Sequence, residues 1–164
     1  DIILQREYRI KDTDTAGDVH DRLSEIGAEL IIETIKALED GTITRTPQEH
    51  EKSTYAPMLR KEDGKIDWNK PACRIISLVR GTYPWPGAYT KAGDDTYKLF
   101  DVTLSDATHD TPPGTIISSG KEGITVACGN EETVIVSQLQ APGSKRMNCA
   151  DYARGNKLPE RFDL

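Results

Sequence analysis

Arg80-Gly81-Thr82-Tyr83-Pro84-Trp85-Pro86-Gly87-Ala88-Tyr89-Thr90 is the stretch on which the architecture of this chain turns. Proline fixes φ near −65° and removes a backbone donor, so neither a helix nor a central strand runs through Pro84 and Pro86. Each proline also drives the residue before it, Tyr83 or Trp85, towards extended backbone. The segment therefore reads as a stiff elbow between two patterns. Its aromatic residue, Trp85, is expected to plug a core.

Immediately before the elbow, Lys65-Ile66-Asp67-Trp68-Asn69 reads as a short strand entering a helix over residues 70–80. Asn69 suits the N-cap and Pro71 suits the first turn, where a missing N–H costs little. Ile75, Ile76, Leu78 and Val79 give that helix an apolar side, and Gly81 stops it. Beyond the elbow, residues 88–91, 96–104, 114–118, 123–128 and 133–139 alternate as short strands separated by Gly, Pro and Asp turns. Gly93-Asp94-Asp95 is a hairpin turn rather than a paired-carboxylate site. These runs predict a small antiparallel barrel, followed by a short helix capped by Asn148 that runs through Tyr152 and Arg154.

Towards the N-terminus, Ile2, Leu4, Tyr8 and Ile10 face one way and Gln5, Glu7 and Arg9 the other, which predicts a strand with one wet face. Thr15 followed by Asp18 is a capping box in a weaker form. Val19, Leu23, Ile26, Leu30, Ile35 and Leu38 then line one face of an amphipathic helix of about 25 residues. Gly41 is placed to end it in the left-handed region. Residues 42–57 keep no period, contain Pro47 and Pro57, and read as a linker.

Charge narrows the function classes. The net charge of −6 resides in residues 1–57, with 7 basic and 13 acidic side chains, whereas residues 58–164 balance at 14 and 14. A strongly basic domain, the usual footprint of a nucleic-acid binder, is absent, so such a partner needs a local basic face on the second part. No apolar run reaches the roughly 18 residues of a membrane span. Asp1 opens the chain without an initiator methionine or a secretory signal, which suggests a piece of something longer. Cys73, Cys128 and Cys149 show no zinc spacing and are expected to be buried free thiols in a reducing compartment. His20, His50 and His109 have no partners at metal spacing and read as solvated. No nucleophile pattern and no phosphate loop emerges.

Three segments carry a family resemblance. Lys65-Ile66-Asp67-Trp68, the elbow, and Leu139-Gln140-Ala141-Pro142-Gly143-Ser144-Lys145-Arg146-Met147 resemble the C-terminal region of methionyl-tRNA formyltransferases. Asp1-Ile2-Ile3-Leu4-Gln5 resembles the strand after that family's Leu-Asp-Thr-Gly turn, Asp18 to Leu23 resembles its next helix, and Tyr55 to Lys61 resembles its linker. Tyr83 departs from the family, where Asn is usual before Pro-Trp-Pro.

The resemblance implies an α/β fragment over residues 1–41, comprising the last strand and helix of the catalytic domain. A linker at 42–57 and an OB-like barrel with flanking short helices at 58–164 would follow. The implied reaction is formyl transfer from 10-formyltetrahydrofolate to the amino group of initiator methionyl-tRNA, in the cytoplasm. The family's catalytic Asn, His and Asp have no counterparts here, so the expected catalytic and metal sets are both empty and the chain alone is expected to be inactive. Its role would be tRNA binding through Arg60 and Lys61 beside the linker and Lys145 and Arg146 in the family's basic loop, where Ser144 replaces a lysine. The whole enzyme is expected to be a monomer, and this chain to self-associate through exposed strand edges. Two other classes remain open: a relative that formylates an amino-sugar nucleotide or hydrolyses formyltetrahydrofolate, and a non-catalytic barrel that binds RNA or protein.

Overall fold

The computed structural model describes all residues, Asp1–Leu164, as two compact units, Asp1–Met58 and Leu59–Leu164.

The first unit is built on helix α1 (Ala16–Glu39), which begins where the sequence predicts. Thr15 accepts from the Asp18 backbone N–H at 3.2 Å, and Asp18 accepts from the Thr15 N–H at 2.9 Å, so two orphan donors of the first turn are satisfied reciprocally. Gly41 follows the helix at φ +64°, conformational space that a side chain would resist. The expected strand over residues 2–10 does not form. Ile2 makes a two-bond bridge to Thr46, and residues 3–10 join no ladder. With no neighbouring strand to complete its backbone bonds, the segment is fastened by side chains instead. Arg6 donates to Glu29 at 2.8 Å and to Glu33 at 2.6 Å on α1, and the Tyr8 hydroxyl donates to Asp14 at 2.8 Å. Ile26 is the buried residue of α1, while Leu23, Ile31, Ile32, Ile35 and Leu38 remain exposed.

The second unit holds six strands: β1 (Tyr89–Ala92), β2 (Asp95–Ser105), β3 (Ile116–Gly120), β4 (Gly123–Ala127), β5 (Thr133–Gln140) and β6 (Met147–Asn148). All ladders are antiparallel, in the order β1-β2-β5-β4-β3, with β6 on β5. The β1–β2 connection is the expected two-residue hairpin, with Gly93 at φ +62°. The ladder is an open sheet, whereas the sequence predicts a barrel. Its outer strands β1 and β3 do not pair, and single hydrogen bonds from the C-terminal tail span the gap. Ile116 donates to the Glu160 carbonyl at 3.0 Å, Phe162 to Gly114 at 2.9 Å and Asp163 to Lys91 at 2.7 Å.

Helix α2 (Ala72–Gly81) packs on this sheet through Ala72, Ile75 and Val79, and α3 (Cys149–Gly155) through Cys149 and Tyr152. Asn148 stands at the α3 N-cap as expected, without a side-chain capping bond. Pro71, not Asn69, occupies the α2 N-cap; Asn69 lies two residues earlier, in a turn where its side-chain Nδ2 donates to Asp67 at 3.0 Å. Pro71 offers no side-chain acceptor, so Glu132, remote in sequence, accepts from the Ala72 N–H at 2.7 Å and places a carboxylate at the positive end of the helix.

The core centres on Trp68, which is fully buried. Its ring stacks on Phe162 at 5.6 Å between centroids, and its Nε1–H donates to Thr90 at 3.0 Å. Ile66, Leu99, Ile124, Val126, Val134, Val136 and Leu139 complete it. Trp85, expected in a core, is instead 60% exposed. Ile66 and Trp68 are buried in alternation with their neighbours, whereas Tyr83, Pro84 and Trp85 are exposed in succession and Pro86 and Gly87 after them are buried. Cys128 and Cys149 are buried as expected, but Cys73 on α2 is exposed. His20 and His50 are exposed, as expected. His109 is not simply solvated: its ring nitrogens lie 2.9 Å from the carbonyl oxygens of Thr111 and of Cys128, which ties the 106–113 loop to the end of β4.

Candidate nucleic-acid interface

The elbow is closed on itself by a hydrogen bond from the Gly87 N–H to the Thr82 carbonyl at 2.8 Å. The peptide bonds before Pro84 and Pro86 are both cis, and Gly87 sits at φ +81°. The segments that carry Arg60 and Lys61 and that carry Lys145 and Arg146 meet its two ends through Gly64 and Arg146.

At the Gly87 end lies the tight turn Lys61–Gly64. Asp63 accepts from the Arg60 backbone N–H at 2.6 Å, which fixes the start of the turn. Gly64 is buried so close to the elbow that a Cβ there would collide with the Gly87 carbonyl oxygen and stand 3.5 Å from the Pro86 ring. Arg60 and Lys61 are exposed and form no ion pair. Their charges are free to meet an anion.

At the Tyr83 end lies Arg146. Its guanidinium stands 4.2 Å from the Phe100 ring centroid and 5.7 Å from that of Tyr83, while the two rings meet edge to face at 6.3 Å. Its Nε donates to Gln138 at 2.6 Å and its Nη2 to Asp101 at 3.0 Å. This node depends on a break in strand alternation. Leu99 and Val102 are both buried, so Phe100 and Asp101 in succession face outward, with Asp101 at φ +50°. Opposite them on β5, Val136 and Leu139 are buried while Ser137 and Gln138 between them are not. The two strands change face together, and Arg146 gathers the four groups thereby presented: Phe100, Asp101, Gln138 and the elbow's Tyr83.

Lys145, next to this node, is exposed and unpaired. It lies in the loop that Gly143 turns at φ +66° and that Ser144 closes by donating to the Ala141 carbonyl at 2.9 Å. Of the two sequence-derived pairs, Arg146 touches the elbow at Tyr83, and Arg60 and Lys61 precede the glycine, Gly64, that packs on its other end. The structure also separates the four by role: Arg60, Lys61 and Lys145 are free cations, whereas Arg146 is already engaged by a carboxylate, an amide and two rings. Asp101 and Phe100 had no signal in the sequence, since strict alternation would set them on opposite faces.

A six-stranded antiparallel sheet covered by short helices, with a cationic and aromatic surface beside a proline elbow, describes the class of module. The chain belongs to the formyl transferase C-terminal domain family, whose model matches residues 58–157. It is 44% identical over 161 residues to a methionyl-tRNA formyltransferase of Acetivibrio thermocellus, covering 98% of this chain and 51% of that protein. It is 44% identical over 155 residues to one from a Geobacillus species, covering 94% and 49%. The chain therefore spans about half the length of the curated relatives it matches. Among solved structures, a variant of HypX from Aquifex aeolicus superposes with a TM-score of 0.65 at 17% identity, over 91% of this chain and 27% of HypX. The HypX complex with tetrahydrofolic acid superposes at 0.58 and 16% identity, over 83% and 26%. At such identities the likeness is one of fold.

Proposed function

We propose that this chain is the tRNA-facing part of a methionyl-tRNA formyltransferase, an enzyme that moves a formyl group from a folate donor, 10-formyltetrahydrofolate, to the amino group of initiator methionyl-tRNA. The observation that carries this reading is the 44% identity to a methionyl-tRNA formyltransferase along 98% of the chain. The tetrahydrofolate complex of a structural neighbour supports a folate donor. In this reading residues 1–41 end the catalytic domain, 42–57 link, and 58–164 form an OB-like domain. The tail hydrogen bonds between the edges of the open sheet support that last assignment.

The formyl chemistry, in which the amine loses a proton as it attacks the formyl carbon and tetrahydrofolate departs, is assigned to the half of the relatives' length that this chain does not span. The residues present here bind and orient. Lys61, Arg60 and Lys145 are exposed unpaired cations, and each one placed against a phosphate releases condensed counterions. Such contacts position a tRNA without reading its sequence. Arg146 holds the same surface together, its guanidinium over Tyr83 and Phe100 while its Nε and Nη2 are taken by Gln138 and Asp101.

The test is a filter-binding titration of the chain with initiator tRNA across salt concentrations. Lys61→Ala and Lys145→Ala are each expected to weaken binding to all tRNAs alike and to flatten the slope of log K against log salt by roughly 0.7–0.9. Unchanged slopes in both variants would return these lysines to ordinary surface charge.

A further inference from the structure

We infer that the elbow presents Trp85 as a stacking platform for an unpaired nucleobase, so that the surface takes a loop or single-stranded segment of RNA rather than duplex alone. This rests on the tRNA-binding reading and adds to it the kind of nucleotide engaged. The chain has two tryptophans. Trp68 is wholly buried and hydrogen-bonded, whereas Trp85 leaves 60% of its surface in solvent, between two prolines whose rings restrict the backbone around it. An indole exposed on a proline-restricted backbone offers a flat face on which a second ring can stack. Tyr83, two residues away, is also exposed and is backed by Arg146 and Phe100.

The surroundings select the ligand. Arg60 and Lys61 lead into Gly64, which touches the Gly87 end of the elbow, and Lys145 precedes Arg146, whose guanidinium lies over Tyr83 at the other end. An exposed aromatic face in an elbow whose two ends are joined to segments carrying the unpaired cations Arg60, Lys61 and Lys145 matches a nucleotide, which offers a π-face with a phosphate on either side. It matches a neutral or basic peptide poorly. In a duplex the base faces are covered by their neighbours, so only a splayed or single-stranded base reaches an indole.

The experiment uses the whole chain, with a short oligoadenylate, a duplex RNA of equal length and initiator tRNA as probes. Oligoadenylate is expected to quench the solvent-exposed tryptophan emission, and duplex is not. In Trp85→Phe the quenching disappears, while the emission of Trp68 reports an intact core. Trp85→Ala is expected to weaken tRNA binding roughly 5- to 150-fold, the range for loss of one stacked base. Trp85→Phe, which keeps a ring, is expected to lose much less, and neither changes the salt slope. If tRNA binds with a slope that Lys145→Ala flattens, yet Trp85→Ala binds as the parent does, the platform is overturned and the phosphate reading stands. If no tRNA binds at any salt, both are overturned. Equal quenching by duplex and single strand also overturns the platform.

Discussion

Replacing Arg146 with alanine separates structural from electrostatic contributions in the basic loop. The side chain makes an exposed ion pair with Asp101 at 3.0 Å and lies over the Phe100 ring at 4.2 Å. An exposed ion pair contributes about 0.2–1 kcal/mol, and an exposed cation–π contact about 0.5–1 kcal/mol. With the Gln138 bond partly compensated by water, the loss is expected to total about 1–2 kcal/mol. For a unit the size of Leu59–Leu164, each kcal/mol lowers the melting temperature by about 4–8 °C, so a fall of about 4–16 °C is expected by calorimetry. Arg146→Lys retains charge but not the planar face, and is expected to recover less than half of that fall. Pairing Arg146→Ala with Asp101→Asn, chosen because Asn tolerates the φ of +50° at that position, isolates the ion pair in a double-mutant cycle. Arg146→Ala that melts as the parent does, while its salt slope falls as much as that of Lys145→Ala, would refute the clamp and make Arg146 a phosphate contact.

Three further outcomes are expected. Gly64→Ala drives a Cβ into the Gly87 carbonyl and should cost about 1–3 kcal/mol in urea unfolding, whereas Gly27→Ala on α1, with open space around it, should stabilise its helix by about 0.5–1 kcal/mol. An aromatic disulfide reagent at pH 8 should label Cys73 in the native protein, and Cys128 and Cys149 after unfolding, because burial pushes both of the latter thiols up to about 12. Hydrogen bonds from the Thr15 hydroxyl and then its backbone N–H hold the Asp18 carboxyl below the usual carboxylate range. A lowered folded value means that this contribution is complete above the unfolded value, near 3.9, and is lost as pH falls through the folded one. Thr15→Ala should therefore raise the Asp18 midpoint in an NMR titration, and an unmoved midpoint would remove the capping box as the cause.

Local rules written in the sequence account for much of this chain. Thr15, Asp18 and Gly41 bracket α1 because caps and left-handed termini depend on residues within one turn. Period-2 runs and glycine turns likewise foretold the strands after the elbow, and Gly93-Asp94 their first hairpin. The pattern at residues 2–10 is equally regular, yet it forms no ladder, because a strand requires a partner that its own residues cannot specify. Tertiary structure alone made Trp68 the core tryptophan and Trp85 the exposed one, since apolarity is the same for both and only the packing of α2 and the tail around the sheet distinguishes them. It also brought Glu132 to the N-terminus of α2, and Asp101, Gln138 and Tyr83 to Arg146. The four basic residues are candidates through the family resemblance and not through any local pattern, and the engagement of Arg146 follows from a paired break in strand alternation, a property of two strands together and of neither alone.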